Sequence, residues 1–217
     1  MPTAMIIGAS RGIGLELARQ YAAEGWRVHA TTRTLAQPGR LGALAGDVVL
    51  HELEVCCRTQ IAALAAAVAQ EGLDVLIHNA GVSDRGLSRA AVMRINAEAP
   101  FAVTQALLPA VQRSAQKKLV LMTSQLGARY GRKRGIGVYG DSKAVLNDTF
   151  RALAPAWGQA GLVAIVMHPG WVRTDMGGAW APLTVEDSVR GMRQLIAHLT
   201  PTEHGRFWTW DGREHPW

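Results

Sequence analysis

The sequence predicts an α/β fold, an open and doubly wound sheet of about seven parallel strands with helices on both faces. Three observations predict it. At the N-terminus an apolar strand runs straight into a three-glycine turn and an amphipathic helix, Ile6-Ile7-Gly8-Ala9-Ser10-Arg11-Gly12-Ile13-Gly14-Leu15. Further along, short runs such as Asp74-Val75-Leu76-Ile77-His78 are too apolar to alternate, as expected for parallel strands covered on both sides. Between such runs lie helical patterns, so strand and helix alternate along the chain.

The glycine turn carries the first functional expectation. Gly8, Gly12 and Gly14 let the backbone turn tightly and let a pyrophosphate approach, and the N-terminus of the following helix is aimed at its charge. Leu15, Ala18, Tyr21 and Ala22 recur at helical spacing, and Gly25 ends the helix. A second strand, Trp26 to Thr32, ends at Arg33. In dinucleotide folds this strand end meets the adenosine ribose, where a carboxylate binds free hydroxyls and an arginine pairs with a 2′-phosphate. Thr32 stands where the carboxylate is expected, with Arg33 beside it and Arg11 in the glycine turn, so NADP(H) is expected over NAD(H).

Residues 47–53 read as a third strand, closed by Glu54, and Thr59 to Gln70 as an alanine-rich helix. The fourth strand delivers His78-Asn79-Ala80-Gly81, with His78 read as structural because no second metal ligand stands at a suitable spacing. A helical stretch from Arg89 to about Gln116 contains Asn96 and is interrupted at Pro100 and Pro109. A fifth strand, 119–124, ends in Ser124 at the carboxyl edge where open sheets place their chemistry. The next helix carries Tyr139 and Lys143 at i and i+4, on one face. A tyrosine hydroxyl has a reference pKa of about 10, and a neighbouring positive charge favours its phenolate. Lys143 is placed to supply that charge and Ser124 to hold a substrate oxygen towards Tyr139. Tyr130, with Arg134 at i+4, lies in a glycine-rich loop and lacks the helix. A sixth strand, 162–167, leads into His168-Pro169-Gly170-Trp171-Val172-Arg173-Thr174, and residues 171–183 read as a cover over the site. Thr184 caps a helix to about His198, and residues 206–210 form a last strand.

A chain of 217 residues fits one domain, 1–217. No apolar run approaches the ~18 residues of a membrane span, and the first residues lack a signal peptide's charged start and cleavage site, so a cytoplasmic location is expected. Cys56 and Cys57 are neighbours, which offers neither a disulfide framework nor a metal-ligand spacing. The net charge of +6 is spread along the chain apart from Arg129, Arg132, Lys133 and Arg134. Nucleic acid and membrane are therefore not expected partners, and this basic loop reads as a solvated segment or the border of a substrate mouth.

The glycine turn, Asn79-Ala80-Gly81, Asn96, Ser124, Tyr139-xxx-Lys143 and Pro169-Gly170, in this order, resemble the short-chain dehydrogenase/reductase family over the whole chain. The stretch His168 to Gly178 and the ending with Gly205-Arg206-Phe207 and Pro216-Trp217 resemble its C-factor and sniffer-type carbonyl reductase branch. The resemblance implies a Rossmann-type domain and an NADP(H)-dependent oxidoreductase that interconverts a small-molecule carbonyl and an alcohol. It implies Tyr139 as acid/base, Lys143 as its activator and ribose ligand, Ser124 as substrate orienter and Asn96 as support for a water relay. It also implies cofactor contacts from Gly8, Ser10, Arg11, Gly12, Ile13, Gly14, Arg33, Glu54, Asn79, Ala80, Gly81, Pro169, Gly170, Val172 and Thr174. The C-factor likeness permits an alternative, a cofactor-binding sensor or signalling protein with little turnover. A homodimer or homotetramer follows from the family's habit of packing the helices before Ser124 and after Tyr139 across interfaces. Ala144-Val145-Leu146 and Phe150 would suit such a contact.

Overall fold

Alternate side chains of the first strand go to opposite faces of the sheet and both faces are buried. Met5 and Ile7 join one apolar cluster, Ala4 and Ile6 the other. That double burial is why the strand reads as an unbroken apolar run. The computed structural model describes residues 1–130 and 137–217. Its strands are β1 (Thr3–Ile7), β2 (Arg27–Thr32), β3 (Val48–Glu52), β4 (Val75–His78), β5 (Lys118–Met122), β6 (Val163–His168) and β7 (Phe207–Thr209). They form one 7-stranded sheet, all pairs parallel, in the order β3-β2-β1-β4-β5-β6-β7. Helices α1 (Gly12–Ala23), α2 (Arg58–Ala67), α3 (Arg89–Met93), α4 (Ala99–Arg113), α5 (Gly137–Gln159) and α6 (Val185–His198) connect them. Leu64 of α2, Leu107 of α4 and Phe150 of α5 fill the cluster on one face, and Leu17 of α1 and Met192 of α6 that on the other.

The chain steps outward from β1 to β3, then returns to lay β4 against β1 on its other side, with Ala4 opposite Val75. The order of strands reverses between β1 and β4, and open sheets bind ligands outside the carboxyl ends at such a point. The turns leaving these two strands lie against one another. Gly8 has φ +82°, and a Cβ there would stand 2.8 Å from Ala80. A Cβ on Gly14 would stand 2.0 Å from the Gly8 carbonyl oxygen. The side-chain amide of Asn79 donates to that oxygen at 2.8 Å, and the Gly8 N–H donates to Thr31 Oγ1 at 2.8 Å.

Two helices differ from the expectation. α2 ends at Ala67 rather than Gln70. The stretch expected as one helix from Arg89 to Gln116 is α3, a π-helical turn at Arg94–Glu98, and α4. Pro100 has no N–H to offer the carbonyl of Asn96, four residues earlier, and the ladder widens there so that Ala99 N–H reaches the Arg94 oxygen. Pro109 is carried inside α4. The expected interface residues are also corrected in part. Ala144, Leu146 and Phe150 are buried in the chain's own core, because that face of α5 packs on the sheet, and Val145 is the exposed member of the set. In the basic loop Arg129 is ion-paired with Asp148 of α5, while Arg132, Lys133 and Arg134 lie outside the described residues. No helix among the described residues is long and apolar enough to cross a membrane.

Replacing Gly14 with alanine forces β1 and α1 apart. We expect Gly14→Ala to cost about 3 kcal/mol of stability, read from urea unfolding, because the obstructing atom is backbone oxygen rather than a yielding side chain.

Candidate active site

A cleft of about 580 Å³ runs along the carboxyl ends of the strands. Gly8, Ser10, Arg11, Gly12, Ile13, Arg33, Glu54, Asn79, Ala80, Gly81, Tyr139, Lys143, Pro169 and Thr174 all line it. Gly14 lies buried beneath it and serves the packing of α1. At one end the positive charge is concentrated: Arg33 follows β2, and Arg40, on a short 3₁₀ turn at Gly39–Ala43, faces the same space. Arg11 is held at 3.1 Å from Asp175, both well exposed. Arg40 and Arg173 were not foreseen from the sequence. Both lie in segments without a periodic pattern, and the fold alone brings them to the cleft.

A second cleft of about 480 Å³ opens beside the first. Ser124, Gly170 and Val172 line this one, together with His168, Leu126, Trp171 and Met176. Tyr139 belongs to both, as do Ile13, Thr123, Pro169, Thr174 and Met176. The phenol and the Ser124 side chain face the same cleft, and Ser124 Oγ accepts the Leu126 N–H at 3.2 Å. Tyr130, by contrast, is 76% exposed.

Asn96 lines neither cleft. Its Nδ2 donates to the Val82 carbonyl at 2.8 Å and to Ser142 Oγ at 3.0 Å, and its Oδ1 accepts the Val82 N–H at 2.9 Å. Ser142 Oγ donates in turn to the Tyr139 carbonyl at 2.7 Å. Asn96, set in the widened turn, thus ties the loop after Gly81 to the first turns of α5. Ser142 was missed in the sequence because its role appears only once Asn96 is packed against it. The turn after β6 is held from the other side, where Ser188 of α6 donates to the Pro169 carbonyl at 2.6 Å. The following strap closes on itself through the Arg173 N–H, which donates to the Leu183 carbonyl at 2.9 Å.

Burial dominates the electrostatics. It pushes the Tyr139 phenol above its ordinary value, with the Ser124 hydrogen bond acting the other way. Burial also pulls the Lys143 ammonium down to about 8. Lys143 Nζ donates to the Met122 carbonyl at 2.9 Å and stands 6.0 Å from the centre of the Tyr139 ring. The sequence had Lys143 favouring the phenolate. In the structure burial outweighs the Ser124 side chain and holds the ring as a neutral phenol. His78, pulled down to about 3 mainly by burial, stays neutral at the end of β4.

The first cleft fits a dinucleotide. Its floor is cut by glycines that a Cβ would fill: at Gly81 one would stand 3.3 Å from Asn96 Oδ1 and 3.5 Å from Lys143 Nζ. The N-terminus of α1 faces the cleft with no acidic residue in its first turn, and arginines stand nearby for phosphate charge.

The family model described as short chain dehydrogenase matches residues 2–182. The chain belongs to the short-chain dehydrogenase/reductase family. It is 39% identical over 164 residues to the C-signal protein of Myxococcus xanthus, covering 71% of this chain and 99% of that one. An NADPH-bound carbonyl reductase from chicken fatty liver superposes with a TM-score of 0.89 at 30% identity, covering 100% of this chain and 99% of that one. The carbonyl reductase Sniffer of D. melanogaster superposes with a TM-score of 0.89 at 26% identity, covering 100% of both chains. Within the family this chain is of the C-factor and sniffer type, and the enzymes of this family work with NAD(P)H.

The lowered pKa of Lys143 has a consequence for this short-chain dehydrogenase. Between about 8 and the ordinary lysine value the unfolded chain holds a proton that the folded chain has released, so stability rises with pH across that window. The penalty is fully present below about 8. We expect Lys143→Met to flatten this rise by a few kcal/mol, read from urea midpoints at a series of pH values without cofactor.

Proposed function

We propose that the chain, acting as one domain over 1–217 in the cytoplasm, is an NADP(H)-preferring reductase of small-molecule carbonyl compounds. The observation that carries this reading is the place of Tyr139. It stands where the dinucleotide-shaped cleft meets a second cleft with largely apolar walls, which it lines together with Ser124. A nicotinamide dinucleotide, when bound, supplies the hydride.

The chain's own residues do the rest. Gly8, Ser10, Gly12, Ile13, Asn79, Ala80 and Gly81 offer backbone and small side chains to the dinucleotide, with Glu54 beside its adenine end. Arg11, Arg33 and Arg40 meet the 2′-phosphate. Pro169, Gly170, Val172 and Thr174 bound the nicotinamide end. Ser124 Oγ holds the substrate oxygen next to Tyr139 Oη. Tyr139, kept as a neutral phenol by burial, donates its proton to that oxygen as charge develops on it. Lys143 binds the nicotinamide ribose, and its charge stabilises the phenolate left behind. Asn96 positions Tyr139 through Ser142. The native assembly is a homodimer or homotetramer, to which the exposed Val145 and Leu153 of α5 are available.

The test is consumption of NADPH with a panel of aldehydes and ketones. Tyr139→Phe should lower kcat by about 10² to 10⁴ while leaving the Kd for NADPH within about threefold. Arg33→Ala and Arg40→Ala should each raise KM for NADPH about tenfold and spare NADH, since only the former carries the extra phosphate. The likeness to C-signal favours one competing reading, a cofactor-binding signalling protein. Tight NADPH binding with no turnover of any carbonyl in the panel would favour it and overturn the reductase reading.

A further inference from the structure

His168 is unaccounted for by the chemistry above. It ends β6, is 9% exposed, and lines the second cleft with Ser124 and Tyr139. Its Nδ1 is buried without a hydrogen-bond partner. Among the described residues the nearby charged or titratable groups are His215 and Asp211, and neither is bonded to the ring. His215 Nδ1 lies 2.7 Å from the Pro216 carbonyl, and Asp211 accepts from Thr209 and from Arg213.

A buried ring nitrogen without a partner is costly, and an unpaired N–H costs more than an unpaired lone pair. The ring therefore carries its proton on Nε2, leaving the lone pair on the sealed Nδ1. Burial, the larger influence, pulls the imidazole down to about 4, so at neutral pH it is an uncharged donor rather than a cation. Nε2 is neither sealed from solvent nor hydrogen-bonded among the described residues, and the open space beside this residue is the second cleft.

Much of the rest of the cleft wall is apolar or solvated. Val172 is buried there, and Trp171, Leu126 and Met176 expose apolar surface around it. The Trp171 indole N–H is already used, donating to the Gly177 carbonyl at 2.8 Å. Asp84 and Arg85 are exposed and keep their water. Thr123 is buried too, but its hydroxyl is spent on Asn147 Oδ1 at 2.6 Å, Thr174 Oγ1 accepts the Gly177 N–H at 3.0 Å, and Ser83 is only half-buried. Apart from Ser124 and Tyr139, which take the reacting oxygen, His168 is, among the described residues, the buried polar side chain of this wall with no hydrogen bond of its own.

We propose that His168 is a specificity-determining residue whose Nε2–H donates to a second, uncharged oxygen of the substrate. The substrate class is then a carbonyl compound with an apolar body and a neighbouring hydroxyl or second carbonyl. This rests on the reductase reading of the site and names its substrate class.

The test compares two ketones of nearly one shape, 2-hydroxyacetophenone and propiophenone, in which a hydroxyl replaces a methyl. With the wild-type chain and NADPH, the hydroxy ketone has the lower KM. His168→Phe raises that KM about tenfold, leaves KM for propiophenone within about twofold, and changes kcat little for either. His168→Gln, which restores an N–H donor, recovers most of the discrimination. Equal losses for both ketones in His168→Phe would mean that the ring only packs the wall, and the inference would fail. Reduction of both ketones by wild type with equal KM overturns it too, while leaving the reductase reading in place. Turnover of neither overturns the inference, and the panel of aldehydes and ketones then decides the reductase reading.

Discussion

Two backbone turns meet without side chains between them, and the rest of the molecule is arranged around that meeting. The turn after β1 and the turn after β4 approach so closely that Gly8 has no room for a Cβ beside Ala80, nor Gly14 beside the Gly8 carbonyl. Asn79 fastens the two by donating to Gly8. Because the strand order reverses here, the same meeting forms the floor of the long cleft, and α1 starts from it with its N-terminus bare. Packing and binding are thus served by the same atoms.

A second arrangement sets the character of the reacting end. Lys143 is buried and Tyr139 half-buried where the clefts meet, and loss of water pushes each towards its uncharged form, the phenol upward and the ammonium downward. Such a pair is suited to giving a proton, since the phenol keeps its proton until charge develops on a neighbouring oxygen. Its geometry depends on residues that touch no cleft. Asn96 reaches α5 through Ser142, and it can do so because Pro100 leaves the helix ladder open at that turn. A missing N–H on one helix thereby fixes the first turns of another.

Much of this was legible in the sequence, for reasons that can be named. The central strands β1, β4, β5 and β6 were visible because both their faces are buried and their runs are almost wholly apolar. The glycine turn was visible because its demands fall on the backbone, where only glycine serves. Tyr139 and Lys143 were visible as one helical face, and both do line the long cleft. Other features depend on tertiary contact. Arg40 lies in a turn whose place no periodicity reveals, and Ser142 acts only through its packing on Asn96. The direction of the Tyr139 shift is a matter of burial, which the spacing to Lys143 does not contain. Which side of α5 faces inward decided that Phe150 belongs to the core rather than to an interface. The widened turn at Asn96 was readable in principle, from a proline four residues on, but the two interruptions looked alike until Pro109 proved to be carried inside α4.

The central claim is that the two clefts bring a dinucleotide and a carbonyl together for direct hydride transfer at Tyr139. It is tested most directly by following deuterium from NADPH labelled at nicotinamide C4, on either face in turn, into the product in ordinary water. The account predicts that one of the two labelled faces delivers its deuterium to the alcohol carbon and the other retains it. Product alcohol free of deuterium from both faces would contradict the account, since the hydrogen would then come from another source.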